Sequence, residues 1–234
     1  MAINKQALTS AIAKYREDTA AAVRFVDADL TNSAITRKRH ERVMAARGEL
    51  LKALPAEPEA PKVNPATVLA ARAPRTADQV AVAQHEFALV ERLLTSGRPV
   101  AELVMEASPA RLDAILAHAE VLPAVLGSSD PAAVVAEVQA QAFERLVELG
   151  DAQAVIARDA QRQYDEQAAW REVIRDTIEA SGSGGGLTAL FNADREGFDA
   201  LMASSTDPVR DADTGERVRS LDRTFGVGMA KADV

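Results

Sequence analysis

The sequence predicts a mainly α-helical protein, and three observations support this fold class. Alanine, the residue with the highest helix propensity, occupies 48 of the 234 positions. Aromatic residues, which favour strands, make up only 4% of the chain. Apolar residues recur at three- and four-residue spacing, which is the period of an amphipathic helix. We therefore expect a long N-terminal helix or αα-hairpin, a central helical bundle, and a small C-terminal tail that is irregular or a β-hairpin.

Residues 1–54 are predicted to form a basic, coiled-coil-like helical arm. The helical frame shifts within "DADLTNSAIT", so the arm is either one helix with a stutter or two helices, the second capped by Asn32 or Ser33. Its apolar face is narrow, and such a helix is marginal alone. The arm therefore either packs on the rest of the chain as a hairpin or forms an intermolecular coiled coil. In the second case the oligomer interface contains Leu8, Ile12, Tyr15, Val23, Val26 and Leu30.

A proline-rich linker and a helical domain are predicted to follow the arm. The linker covers residues 55–75, because "PAEPEAPKVNP" alternates proline with small and charged residues and favours an extended chain. The helical domain covers residues 76–180, and Gly150 is expected to kink or divide its last helix. Capping residues, two of them followed by proline, mark the helix starts at Thr76, Ser108 and Asp130.

The run "SGSGGG" at residues 181–186 is predicted to be a flexible hinge. It is not a dinucleotide-binding loop, because Leu187 stands where the third glycine of G-x-G-x-x-G is required. It is not a Walker loop either, since no lysine follows the last glycine. Residues 187–234 are predicted to form a small C-terminal segment. Within it, the Asp- and Gly-rich stretch between Val209 and Val218 suits the loop of a β-hairpin.

The sequence contains no pattern typical of a catalytic, cofactor or metal site. It has no cysteine, which excludes disulfides and thiolate ligands. Its three histidines lack the spacing that places two metal ligands on one helix face. The stretch "DADTGERVRSLD" has glycine in fifth place, whereas an EF-hand loop needs it in sixth. We therefore expect a protein that is not an enzyme and that has no cofactor, metal or small-molecule substrate.

Membrane insertion and secretion through a signal peptide are not expected. No apolar run reaches the roughly 18 residues of a membrane span. The first residues, "MAINKQALTSAIAKYRED", lack the apolar core of a signal peptide.

The charge is unevenly distributed along the chain. The net charge is −8, yet residues 1–54 contain 10 Lys and Arg against 6 Asp and Glu. No aromatic residue lies within "TRKRHERVMAAR", so stacking on nucleic-acid bases is not expected there. Five cations of this stretch suit phosphate groups or an acidic partner, and they are Arg37, Lys38, Arg39, Arg42 and Arg47. The same cluster can also be a solvated helix face or a salt-bridging surface.

In general character the chain resembles the small α-helical virion proteins of tailed bacteriophages, which include scaffolding, connector, and minor head or tail proteins. The resemblance rests on the alanine- and arginine-rich helices, the "PAEPEAPKVNP" linker and the "DADTGERVRSLDRTFGVG" tail. It implies a non-enzymatic structural or assembly protein whose partners are itself and other subunits, in a virion or in the bacterial cytoplasm. The alternative is a cytoplasmic helical nucleic-acid-binding or regulatory module that uses residues 36–47.

Overall fold

The computed structural model describes residues 3–179, 184–205 and 208–226, and this part of the chain is mainly helical. It forms twelve α-helices and one 3₁₀ turn (Ala119–Val121), and no strand. The helices are α1 (Lys5–Arg24), α2 (Asn32–Lys52), α3 (Pro65–Ala71), α4 (Ala77–Thr95), α5 (Val100–Met105), α6 (Pro109–Ala117), α7 (Pro123–Leu126), α8 (Pro131–Glu148), α9 (Ala152–Glu179), α10 (Gly185–Ala193), α11 (Arg195–Ala203) and α12 (Pro208–Phe225).

The chain divides into two compact units. Unit 1 consists of Met1–Glu59 and Gln163–Val234, and unit 2 consists of Ala60–Arg162. The boundary falls within α9, so these units differ from the predicted segments 1–54 and 76–180. The difference arises because contacts between distant segments, and not proximity in sequence, decide which helices share a core.

The predicted helix starts at the three capping residues are confirmed. The side chains of Thr76, Ser108 and Asp130 each accept a hydrogen bond from a backbone N–H in the first turn of α4, α6 and α8. Gly150 has φ 76°, a left-handed conformation that favours glycine, and it separates α8 from α9. These starts could be predicted because a cap acts over only three residues.

The predicted linker 55–75 is extended only in its first part. Asn64 and Thr67 form a capping box, and Pro65 occupies the first position of helix α3. This is the same start signal as at Ser108 and Asp130, hidden by the prolines that precede it. The extended part is fixed to α9, because Arg171 donates a 2.6 Å hydrogen bond to the carbonyl oxygen of Pro55.

Unit 2 is a bundle of short helices around one apolar core. Helices α3, α5, α6 and α7 all contact α8, and α4 packs along α6. The side chains of the core include Phe87, Val90, Leu103, Leu112, Ile115, Leu122, Phe143 and Leu146. This arrangement agrees with the predicted central helical bundle at the level of an all-helical core.

Unit 1 is built around Trp170, which is completely buried. Residues 4–53 form two helices, α1 and α2, which pack against each other and against the C-terminal part of the chain. Trp170 on α9 shares this core with Ile174 of the same helix and with apolar side chains of α1, α2, α10 and α11, including Leu8, Ile12, Tyr15, Leu50, Leu190 and Leu201.

The carboxylate of Asp194 joins α10 and α11 to this core. One of its oxygens accepts hydrogen bonds from Trp170 Nε1 at 3.0 Å and from Lys5 Nζ at 2.9 Å. The other accepts the backbone N–H of Gly197 at 3.0 Å, which caps α11. Burial by itself would raise the pKa of Asp194, but the hydrogen bonds from Lys5, Gly197 and Trp170 outweigh it and hold that pKa below its usual value. The buried charge therefore has a structural role.

Residues 208–225 form helix α12, so the predicted β-hairpin in this stretch is wrong. Thr214, Val218 and Leu221 follow helical spacing, and Val218 and Leu221 pack on the apolar side chains of α1 and α2. An ion pair four residues apart, Asp213 to Arg217, also favours the helix. The burial of this face outweighs the cost of placing Gly215 inside a helix, which is about 1 kcal/mol relative to alanine. Residues 227–234 of the predicted tail lie outside the described residues.

The predicted hinge 181–186 overlaps the start of α10. Its first three residues lie outside the described part of the chain, whereas Gly185 and Gly186 are helical. Gly186 is buried against α9, and a Cβ atom added there would lie 2.7 Å from the backbone nitrogen of Val173. This glycine is therefore explained by the close approach of two helices and not by flexibility.

We expect Gly186→Ala to lower the free energy of unfolding of unit 1 by about 2 kcal/mol, because the added methyl group forces backbone apart from backbone. Urea denaturation followed by the fluorescence of Trp170, the one tryptophan of the sequence, measures the change. Gly215→Ala in α12 is the matched control, since the added Cβ meets only the end of the Arg219 side chain at 3.8 Å. The control should be as stable as the original chain or more so. Equal stability of Gly186→Ala would contradict the close packing of α10 on α9.

Candidate interaction surface

Helix α2 has one face inside unit 1 and one face exposed. The buried face consists of Val43, Ala46, Arg47 and Leu50, which pack towards α1, α9 and α12. The opposite side carries a set of exposed residues that we call the outer face of α2, consisting of Glu41, Met44, Ala45, Gly48, Leu51 and Lys52. The helix therefore presents a continuous strip of about three turns to the surroundings.

Four of the six residues predicted for an oligomer interface lie in the cores of unit 1. These four are Leu8, Ile12, Tyr15 and Val23. Val26 is 74% exposed, and Leu30 is half-buried in the connection between α1 and α2. The narrow apolar face of α1 does have a partner, but the partner is the same chain. An intermolecular contact through the buried four would require unit 1 to open.

Arg47 is held by an ion pair inside unit 1. Its guanidinium donates two hydrogen bonds to the carboxylate of Asp222 on α12, at 2.9 and 2.6 Å. Burial lowers the pKa of Arg47, but the bonds to Asp222 and the nearby Tyr15 outweigh it, so the pKa is raised. Burial has the opposite effect on the Tyr15 phenol, whose charged form is the anion, and raises its pKa. Arg47 is therefore not available to a phosphate group.

Two more of the predicted cations support the turn between α1 and α2. Arg39 donates a 2.8 Å hydrogen bond from Nε to the carbonyl oxygen of Phe25, at the C-terminal end of α1. The guanidinium of Arg42 lies 4.0 Å from the centre of the Phe25 ring, in a cation–π contact. Both cations thus help to keep the two helices together.

The remaining two cations, Arg37 and Lys38, are exposed on the first half of α2. Lys38 has a 3.1 Å ion pair with Glu41 of the same helix, which is worth little because both side chains are solvated. The described residues contain no ion pair or hydrogen bond for the Arg37 guanidinium. Of the five predicted contacts for phosphate or an acidic partner, only these two keep their charged ends free of a tertiary role.

Aromatic rings lie near the basic stretch, although none occurs within it in the sequence. Phe25 arrives from the end of α1, and Phe225 stacks on the His40 ring with the ring centres 4.4 Å apart. The stretch 36–47 therefore contains no Phe, Tyr or Trp in sequence, but two Phe rings lie beside it in the folded chain. The missing signal is tertiary, because Phe225 is far from His40 along the chain.

Gly48 lies in the middle of the outer face of α2, and no contact within unit 1 requires a glycine at this position. A Cβ atom added there would have nothing within 4 Å, and the residue is helical on both sides. Glycine in a helix interior costs about 1 kcal/mol relative to alanine. Met44 and Leu51, which are 42% and 50% exposed, flank it one turn away on either side.

Unit 2 contains a second polar arrangement that sequence reasoning did not identify. Arg72 bonds to Asp113 at 2.6 Å and to Asp151 at 2.9 Å, which ties α3 to α6 and to the start of α9. Open clefts of about 250 and 300 Å³ lie beside it, and both are lined by Arg72 and Asp113 together with apolar side chains and at least one glutamine. Since the two carboxylates already satisfy the guanidinium, Arg72 mainly holds the three helices together.

The part of the chain that the structure describes contains no group of three or more His, Asp or Glu side chains placed to bind a metal ion. None of its helices combines the length and the apolar character that crossing a membrane requires. No family model, no curated protein and no solved structure matches this chain.

Proposed function

We propose that this protein is a non-enzymatic structural or assembly protein that acts through helix-mediated contacts with other subunits. The observation that carries the proposal is the outer face of α2, where Met44 and Leu51 are exposed around a glycine that unit 1 does not explain. The residues of α1 that the sequence predicts for an oligomer interface are buried in unit 1. The proposed interface is therefore the outer face of α2. The subunits of a bacteriophage virion, in the head, connector, scaffold or tail, are the partners that the sequence resemblance suggests.

The native mass in solution tests this proposal. Light scattering on a sizing column, at low and high salt and over a range of concentrations, should show a defined oligomer or a mass that rises with concentration. Apolar helix contacts should persist at high salt, because salt screens exposed charges but not buried apolar surface. A chain that stays monomeric at high concentration and binds no virion component would contradict the proposal.

A second candidate function is a nucleic-acid-binding or regulatory module that uses residues 36–47. It is supported by Arg37 and Lys38, which are exposed on the first half of α2. It is weakened by the tertiary contacts of Arg39 and Arg47, which take two cations away from phosphate groups. Binding through the remaining cations would depend steeply on salt.

The double variant Arg37→Gln/Lys38→Gln separates this candidate from the first. It leaves the cations that hold the fold in place, so lost DNA affinity would not reflect unfolding. If the module binds DNA, the variant should bind more weakly and with a smaller salt dependence, measured by fluorescence anisotropy on a labelled duplex. Lys14→Gln on α1, also exposed, is the control. Equal affinity of the double variant and the original chain would eliminate Arg37 and Lys38 as DNA contacts.

A further inference from the structure

We propose that the outer face of α2 pairs with the same face of a second copy of this chain, with the two helices antiparallel. The inference rests on the proposed function, because it assumes that helix contacts between subunits are what the protein uses. It goes further in naming the partner, the helix and the register. A two-fold contact of this kind places the same patch on both copies, so the patch must be complementary to itself.

The small residues of the outer face set the register. Gly48 and Ala45 lie on one side of α2, almost one turn apart, and neither projects beyond a methyl group. In an antiparallel pair, Gly48 of one copy can lie against Ala45 of the other, twice about the two-fold axis. The helix axes then approach closely, since the interaxial distance depends on the side chains at the contact. This close approach explains the glycine at position 48, which no contact within unit 1 explains.

The charges of the outer face agree with the same register. Glu41 lies four residues before Ala45, and Lys52 lies four residues after Gly48. In this register Glu41 of one copy therefore lies beside Lys52 of the other, an acidic side chain next to a basic one. The antiparallel pair thus gains two Glu41–Lys52 contacts between copies. A parallel pair would instead bring each charge beside its own copy, and like charges repel. The charge pattern therefore selects the antiparallel arrangement.

The exposed apolar side chains fill the other edge of the contact. Met44 and Leu51 are seven residues apart, which places both on the same edge of the outer face. In the antiparallel register Met44 of one copy comes beside Leu51 of the other, so both exposed side chains lose contact with water. The present ion pairs of Glu41 with Lys38 and of Lys52 with Glu49 are exposed and exchange easily.

One helix pair makes a small contact, and the expected dimer is weak. Standard stable interfaces bury roughly 1,200–2,000 Å², more than about three turns of a single helix pair provide. We therefore expect a dissociation constant of about 10 μM or above. Sedimentation equilibrium from about 1 μM to about 1 mM covers this range.

Charge exchange on the outer face tests the pairing. Glu41→Lys and Lys52→Glu should each raise the dissociation constant about tenfold, because each replaces two attractive contacts by repulsive ones. The double variant Glu41→Lys/Lys52→Glu should restore the original dissociation constant, since the exchanged charges meet again across the two-fold axis. Lys14→Glu on α1 is the matched control, because Lys14 is also exposed and paired within its own helix. The control should leave the dissociation constant unchanged.

A bulky side chain at Gly48 provides an independent test. Gly48→Gln should abolish association while the monomer remains folded with an equal or higher thermal midpoint, because glutamine favours the helix more than glycine does. An oligomer that none of these variants changes would overturn the α2 pairing and leave the assembly function supported. A chain that is monomeric at about 1 mM would overturn the pairing as well, and the search for binding to virion components would then decide the function.

Discussion

Replacement of Trp170 by alanine is expected to lower the free energy of unfolding of unit 1 by about 4 kcal/mol. The side chain of Trp170 on α9 is completely buried among α1, α2, α10 and α11, so its removal leaves a large cavity that these helices cannot all close. The change also removes the indole N–H that donates to the buried carboxylate of Asp194. Loss of apolar contact and loss of a hydrogen bond therefore act together.

Urea denaturation followed by circular dichroism measures this change, since the variant has no tryptophan fluorescence. Trp170→Phe is a smaller change, because it keeps a six-membered aromatic ring and removes the pyrrole part of the indole together with its N–H donor to Asp194. It should cost about 1–2 kcal/mol. Val26→Ala is the control, as Val26 also lies in unit 1 and is 74% exposed, and its effect should stay within about 0.5 kcal/mol. A Trp170→Ala variant as stable as the control would show that the core of unit 1 is not built around this residue.

Removal of the Asp222 carboxylate is expected to destabilise unit 1 by about 3 kcal/mol. Its partner Arg47 is only 9% exposed at the side chain, and Nε of Arg47 is already buried without a hydrogen-bond partner. Asp222→Ala would thus leave an uncompensated charge inside the packing of α1, α2 and α12. The fluorescence of Trp170 during urea denaturation reports the change, because this residue remains in the variant.

The double variant Arg47→Met/Asp222→Leu distinguishes the ion pair from the packing around it. When both charges are replaced by apolar side chains of similar size, stability should return to within about 1 kcal/mol of the original chain. Such a recovery would show that Arg47 is needed only to match Asp222. If Asp222→Ala alone proves as stable as the original chain, Arg47 is not committed to this pair and regains its place as a candidate phosphate contact.

The helix starts could be predicted because their signals are local. Thr76, Ser108 and Asp130 act on backbone groups within three residues, and all three cap helices in the structure. The start at Asn64 carries the same signal and was missed, because neighbouring prolines made the segment read as a linker. The helix at 208–225 was missed for another reason. Its apolar face is too sparse to be recognised without the surface of α1 and α2 that it covers.

The candidate site was predicted only in part, because burial is not a local property. The stretch 36–47 was correctly identified as a cluster of cations on a helix, yet the sequence could not tell which of them serve the fold. Arg47 pairs with Asp222, which is 175 positions away, and Arg39 donates a hydrogen bond to the end of α1 across the turn between the two helices. The outer face of α2 carries no motif at all. It becomes a candidate only when the opposite face is seen to be buried.

By itself, the sequence determined the mainly helical character of the chain and the start of several helices. These properties follow from side chains acting on their own backbone through propensity, capping and spacing. The tertiary structure decided which face of each helix is covered and which charges are neutralised. Leu8, Ile12 and Tyr15 became core residues, while Met44 and Leu51 stayed outside. The physical reason is that burial depends on which distant segments come together, and the periodicity of one helix contains no information about its partner.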